Sequence, residues 1–160
     1  EFARKVPDHR KVGVARYLTG EWKVSRLGHV RSLRVLSPDH YPALENNKGI
    51  VGSRKLHDGV YIHTNGSDSV SFQTTRQGPK GVHLVSSNGR VEHWQKNYDG
   101  LALRIKGQVP VVVELGGAQL NNCSIHTGRK VVRGVLTAAQ TTQFTFTNKD
   151  TGNAILHCPA

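Results

Sequence analysis

The stretch LALRIKGQVPVVVEL, residues 101–115, decides the fold class. Leu101, Leu103 and Ile105 alternate with Ala102, Arg104 and Lys106, the two-residue period of a strand with one face in a core and the other in water. Gly107-Gln108 interrupts the run. Val109 to Leu115 resumes it with Val111, Val112 and Val113, the most β-prone segment of the chain. Pro110 cannot donate to a ladder, so it belongs at the start of the second strand or on an edge. The rest of the chain is expected to lie against this pair as further β-structure.

Working outward, the turn chemistry is regular from Lys55 onward. Asp58-Gly59, Asn65-Gly66, Asn88-Gly89 and Asp99-Gly100 are pairs that accept positive φ at hairpin tips. Between them lie Val60-Tyr61-Ile62-His63, Val70-Ser71-Phe72-Gln73, Val82-His83-Leu84-Val85 and Val91-Glu92-His93-Trp94, which predicts a meander of short strands over 55–160. Beyond Gly116-Gly117, strands are expected at 123–126, 131–136 and 143–147, with 154–158 returning as the partner of the last. Thr137 to Gln140 and Tyr41 to Glu45 are the two candidates for a short helical turn.

Upstream, residues 37–54 (SPDHYPALENNKGIVGSR) read as one long loop, a type of segment that often binds ligands in compact domains. Residues 1–36 form loosely alternating basic strands. The expected architecture is a single all-β domain of short antiparallel strands, sandwich or barrel-like, with a β-trefoil as the alternative. The segment Gly81 to Gln95, GVHLVSSNGRVEHWQ, is similar to one hairpin of the β-trefoil growth-factor-like proteins. That family holds sulfated glycans with loop lysines and arginines. The resemblance covers this segment alone, no three-fold repeat accompanies it, and it assigns no site residue here.

The 160 residues include 22 Lys and Arg against 11 Asp and Glu, a formal charge of +11. A surplus of that size favours polyanionic partners. It is densest at the start, where Arg4, Lys5, Arg10, Lys11, Arg16, Lys23, Arg26, Arg31 and Arg34 face only Glu1, Asp8 and Glu21, leaving +6. Strand alternation would gather many of these cations on one sheet face. Arg10, Lys11, Arg16, Lys23, Arg26, Arg31 and Arg34 are therefore the candidate polyanion-binding residues. Tyr17, Trp22 or Trp94 could stack a base if the partner were a nucleic acid.

Cys123 and Cys158 are the two cysteines. Paired, they would close a loop of about 35 residues, worth about 3–4 kcal/mol in the chain-entropy account. Unpaired, each is a small buried hydrophobe. Cys123-x-x-His126 and His157-Cys158 could in principle offer zinc four ligands, but adjacent strand residues point to opposite faces, so no metal site is expected. No cofactor is expected either. Asn65-Gly66-Ser67 and Asn122-Cys123-Ser124 are N-glycosylation acceptor patterns.

Catalytic patterns are weak. His57-Asp58 and Asp8-His9 are sequence neighbours, and no serine lies in a nucleophile elbow. The glycines and lysine of GIVGSRK, residues 49–55, lack P-loop spacing, and carboxylate pairs are scarce. No apolar run reaches the roughly 18–20 residues of a membrane helix. The chain opens Glu1-Phe2 and contains no Met, so it is read as a processed product or an excised fragment.

The leading expectation is a non-catalytic domain of an extracellular or virion-surface protein that binds a protein receptor or an anionic glycan. The second is an intracellular nucleic-acid-binding domain using the same basic strands. The third is an enzyme whose site is assembled only by the fold.

Overall fold

A computed structural model describes residues 2–4, 13–16, 21–28, 30–35, 40–44, 47–79, 81–97, 100–107, 110–117, 120, 122–128, 130–147 and 152–158, with the backbone alone at 2–4, 13–16, 35 and 97. Every regular element among them is a strand, and all assigned pairings are antiparallel. The all-β expectation therefore holds. The chain divides into two compact units, Glu1–Lys80 and Gly81–Ala160.

In the first unit, β1 (Phe2–Arg4), β4 (Ser32–Val35), β7 (Gly59–Thr64) and β6 (Ile50–Leu56) lie side by side in that order. A second sheet has the order β2 (Gly13–Arg16), β3 (Glu21–Ser25), β8 (Val70–Thr75) and β5 (Tyr41–Pro42). Val24, Val70 and Phe72 from one sheet join Leu33, Ile50, Val60 and Ile62 from the other in a single buried cluster, which Leu27 and Val30 of the intervening connection complete. The unit is thus a small sandwich. Apolar residues at alternate positions of both sheets need a common dry interior.

The second unit repeats the plan with different connections. One sheet runs β9 (His83–Ser87), β12 (Val111–Gly116), β16 (Thr142–Phe146), β15 (Val135–Leu136). The other runs β10 (Arg90–Asn97), β11 (Gly100–Lys106), β17 (Asn153–His157), β13 (Ser124–Thr127), β14 (Lys130–Arg133). Leu101, Leu103 and Ile105 are buried on β11, and Val111, Val113 and Leu115 on β12. Across the ladder Val111 faces Phe146 and Val113 faces Phe144, while Leu101 faces Leu156 and Leu103 faces Ala154. The alternation of residues 101–115 is therefore real, but its two strands are not partners. They belong to different sheets, and the chain passes from one to the other between them.

Several expectations about connection change accordingly. The pairs ending at Gly59 and Gly100 do close hairpins, β6 with β7 and β10 with β11. Asn65-Gly66 and Asn88-Gly89 do not, because β7 and β8 lie in different sheets, as do β9 and β10. The meander is broken at both places. The segment likened to a trefoil hairpin spans β9 and β10, which pair with β12 and β11 and not with each other.

The span read as one loop over 37–54 contains β5 and the first five of the seven residues of β6. A bulge between Ile50 and Gly52 shifts the register, so that Ile50, Val51, Gly52 and Ser53 are all buried in succession and no alternation survives for the eye to find. Tyr41-Pro42 makes no helical turn but pairs with Thr75 and Thr74 on the end strand β5, where a proline costs no ladder bond. Thr137 to Gln140 is a hydrogen-bonded turn, Gln140 N–H donating to the Thr137 carbonyl at 3.2 Å. The strand expected over 131–136 is two strands split at Gly134, and β17 pairs with β11 and β13 instead of β16.

Cys123 and Cys158 form a disulfide. It ties the start of β13 to the end of β17, beside the register pair Ser124 and His157.

Gly100 offers a direct test of the β10–β11 turn. Its φ is +134°, and a Cβ there would collide with the Leu156 carbonyl oxygen of β17. Gly128 has φ +52° with open space around it. Gly100→Ala is expected to lower unfolding free energy by more than 2 kcal/mol, roughly, whereas Gly128→Ala costs about 1–2 kcal/mol, the left-handed penalty alone. Chemical denaturation of the two variants checks the order; equal losses would show that the β17 contact does not matter.

Candidate functional site

Among the described residues, the cations proposed from sequence include Lys23 on β3 and Arg34 on β4, strands of different sheets. Arg10 and Lys11 lie outside the described residues, as does Tyr17. Arg16 is described in backbone only, opposite Trp22 in the β2–β3 register. Lys23 is exposed on β3 and Arg26 is exposed just beyond it with φ +59°. Arg31 and Arg34 belong to the other sheet side of the unit. Arg31 Nη1 donates to the Gly28 carbonyl at 3.4 Å, and its guanidinium lies over Gly66.

Arg34 is committed to a polar cluster. Its Nη1 donates to Asp58 Oδ2 at 3.0 Å, and the Tyr61 hydroxyl donates to the same oxygen at 2.8 Å. Tyr61 and Arg34 are register partners on β7 and β4, and Asp58 stands in the β6–β7 turn. The cluster pins that hairpin to β4. The Tyr61 hydrogen bond, followed by the Arg34 contact, holds the Asp58 carboxyl below its ordinary pKa.

What the fold does assemble is a cationic row on the outer side of the β2–β3–β8 sheet. Lys23 is the register partner of Ser71 on β8. On the other flank of Ser71 sits Lys48, joined by reciprocal backbone bonds of 2.8 and 3.0 Å. Directly opposed residues in an antiparallel pair share a face, so the order across the sheet is Lys23, Ser71, Lys48. With neighbouring strands about 4.8 Å apart, the two lysine stems rise roughly 10 Å from each other. Both lysines are exposed, and Gln73, also exposed, is the next outward residue along β8.

The sequence did not mark Lys48, because it lies in the span read as a loop. The arrangement is ordered locally by Asn47, whose Oδ1 accepts from Ile50 N–H at 3.1 Å and whose Nδ2 donates to Leu44 O at 2.8 Å. On the other flank, Asp68 accepts from Leu27 N–H through its carbonyl and from Gly28 N–H through Oδ1, both at 2.8 Å. These bonds fix the bend that carries Arg26.

His83 is buried, its Nδ1 lies 2.8 Å from the Gly81 carbonyl, and burial lowers its pKa against the opposing effect of that contact. His126 and His157 meet edge to face on the exposed side of β13 and β17, with ring centroids 6.2 Å apart, and Ser124 Oγ is 3.1 Å from His126 Nε2. The neighbouring cysteines are spent in the disulfide. Among the described residues no group of three or more His, Cys, Asp or Glu is placed to hold a metal ion, and no helix is long and apolar enough to cross a membrane. Trp22 is half-buried against the core cluster.

Of the two acceptor asparagines, Asn122 is exposed, immediately before the disulfide. Asn65 is half-buried, and its Oδ1 accepts from Ser67 N–H at 3.0 Å and from Ser67 Oγ at 2.6 Å. No family model, curated protein or solved structure matches the chain.

Because Asp58 is held below the unfolded value of about 3.9, the cluster stabilises the fold above that pH and the contribution is lost as pH falls through the folded pKa. Tyr61→Phe removes the leading cause, so Asp58 in that variant is expected to titrate at higher pH than in the parent. Carboxyl-carbon NMR reads the shift directly, and an unmoved Asp58 would transfer the leading role to Arg34.

Proposed function

We propose that this chain is a non-catalytic binding domain of an extracellular or virion-surface protein, and that it engages an anionic glycan or an acidic protein face. The observation that carries this reading is the row formed by Lys23, Ser71 and Lys48. Two exposed ammonium groups flank a hydroxyl, and Glu21, the register partner of Gln73, ends the row on the same face. Sulfates or carboxylates spaced along a flexible chain can be met by each lysine as a point charge, with Ser71 donating between them.

Arg26 extends the same positive field beyond the end of β3, and the net charge of +11 raises the local concentration of any polyanion. Arg34 has a different part in this reading: its guanidinium serves the hairpin. A disulfide is compatible with an extracellular location. In that setting the exposed Asn122 is the better placed of the two glycan acceptors. The half-buried Trp22 favours a glycan or protein partner over single-stranded nucleic acid, whose capture leans on exposed aromatic platforms.

Heparin-affinity chromatography tests the row against mere net charge. K23E/K48E is compared with R90E/K96E, which makes the same charge change at exposed positions of β10. The expected outcome is a clearly lower salt for elution of K23E/K48E than of the control pair. Equal loss in both would reduce the interaction to non-specific charge. Tighter, strongly salt-dependent capture of single-stranded RNA than of heparin would move the reading to nucleic acid.

A further inference from the structure

Ser124 is a short side chain set among long ones. On the outer face of the β10–β11–β17–β13–β14 sheet its register partners are Arg133 on β14 and His157 on β17. Directly opposed residues of an antiparallel pair share a face, and His126, two residues along β13, shares it too. Their neighbours Ile125, Thr127 and Leu156 are buried, which sets the outward direction of all four. Arg133, His126 and His157 are exposed, while Ser124 is half-buried between them. With strands about 4.8 Å apart, the Arg133 and His157 stems rise roughly 10 Å from each other on either side of the hydroxyl. The result is a cup with a hydroxyl floor and three nitrogen-bearing walls.

Both flanks of the cup are held. The N–H of Gly134, next to Arg133, donates to Cys123 O at 3.3 Å. The Cys123–Cys158 disulfide ties the start of β13 to the residue after His157. The rings of His126 and His157 meet edge to face with centroids 6.2 Å apart, and Ser124 Oγ lies 3.1 Å from His126 Nε2. A ligand above Ser124 therefore meets groups that are already placed, which lowers the ordering cost of binding.

The charges select the ligand. Among the described residues of this sheet's five strands, Glu92 on β10 is the one acidic side chain. It stands opposite Arg104, Lys106 Nζ lies 4.0 Å from its Oε2, and three strand spacings, roughly 14 Å, separate β10 from β13. The strands beside β13 add no carboxylate to the face: β14 gives Val131 and Arg133, and β17 gives Asn153, Ile155 and His157. Lys130 belongs to the opposite face, in register with the buried Thr127. A metal cation would find two imidazoles beside a guanidinium, with no negative charge at hand. A tetrahedral oxyanion finds a guanidinium fork, a hydroxyl and imidazole N–H donors. Protonation strengthens the set, because both nitrogens of an imidazolium donate. A protonated His126 can no longer accept from Ser124, which leaves the Ser124 hydrogen for the ligand.

We propose that Arg133, Ser124, His157 and His126 bind a single tetrahedral oxyanion, the head group of a sulfate or phosphate monoester. The site lies on the second unit, shares no residue with the row of Lys23, Ser71 and Lys48, and stands whether or not that row binds a glycan.

The probe is sodium sulfate, titrated into isotopically labelled protein against sodium chloride of matched ionic strength. The amides of Ser124 and Arg133 and the ring carbons of His126 and His157 are expected to shift together and to saturate. Affinity is expected to rise about tenfold from about pH 7.5 to about pH 5.5, a range in which sulfate keeps its charge while imidazoles gain theirs. R133Q is expected to weaken binding about tenfold, against little change in R90Q, which removes the same charge at the far side of the sheet. H126Q/H157Q is expected to abolish the pH dependence with the backbone amide spectrum otherwise retained, and K23E/K48E binds as the parent does. A sugar sulfate monoester and the matching sugar phosphate are then compared at this site, and the tighter binder identifies the ester. Equal loss in R133Q and R90Q, a parent affinity that does not change with pH, or ring shifts as large in chloride as in sulfate overturns the proposal. So do ring shifts produced by zinc ions and not by sulfate.

Discussion

The second unit depends on one corner, and Asn88 holds it. A strand buried on one face must hand its chain to the opposite sheet without leaving unpaired backbone groups in the interior. The chain does this at Asn88-Gly89, between β9 and β10, and again between β11 and β12. The two crossings lie against each other. Asn88 Nδ2 donates to Pro110 O at 2.9 Å, and its Oδ1 accepts from Val112 N–H at 2.8 Å. Gly89 comes so close that a Cβ would stand 2.6 Å from the Lys106 carbonyl oxygen and 3.0 Å from Val111. That side chain and that small residue add to the ladders with β16 and β9 in fixing the start of β12. Val111, Val113 and Leu115 stand there opposite Phe146, Phe144 and Thr142.

This corner explains where the sequence could be read and where it could not. Period-two alternation is a local property, and it marks β11, β12 and β16 cleanly because each has one wet and one dry face. Turn chemistry is also local, and it marks Gly59 and Gly100. An Asn-Gly pair, however, is suited both to a hairpin tip and to a tight passage between sheets, since both need a residue without Cβ beside a side-chain amide that can bond the backbone. Asn65 and Asn88 therefore look alike in sequence to Asp58 while serving a different connection. Pairings such as β17 between β11 and β13 are set by burial far along the chain, and nothing within five residues of Ile155 announces them. β6 was hidden for a third reason, a bulge that buries Ile50 and Val51 in succession.

The candidate site divides in the same way. Lys23 was legible as a cation on a strand, and Arg34 looked equivalent to it. They part because β3 and β4 enter different sheets, and because Asp58 and Tyr61 wait for Arg34 at the neighbouring hairpin. Lys48 became significant only through its bridge to Ser71, a contact between a loop and a strand that spacing alone does not encode. The disulfide was legible as a possibility, and its effect on function was not. It sits behind His126 and His157 and removes both sulfurs from any ligand set. Among the described residues, Lys23 and Lys48 then stand out as an exposed cationic pair on one sheet face.

The place of β17 has a consequence for how the molecule is made. In the β10–β11–β17–β13–β14 sheet the middle position is taken by the strand that is synthesised after all the others. While the chain is still emerging from the ribosome, β11 and β13 have no partner on their facing sides, and Leu101, Leu103 and Ile125 await Ala154 and Leu156. The half-built sheet is two separate hairpins, β10–β11 and β13–β14, with a slot between them. Cys158 directly follows β17, so the Cys123–Cys158 bond can close only once β17 has been synthesised, and in the finished sheet it holds β17 beside β13.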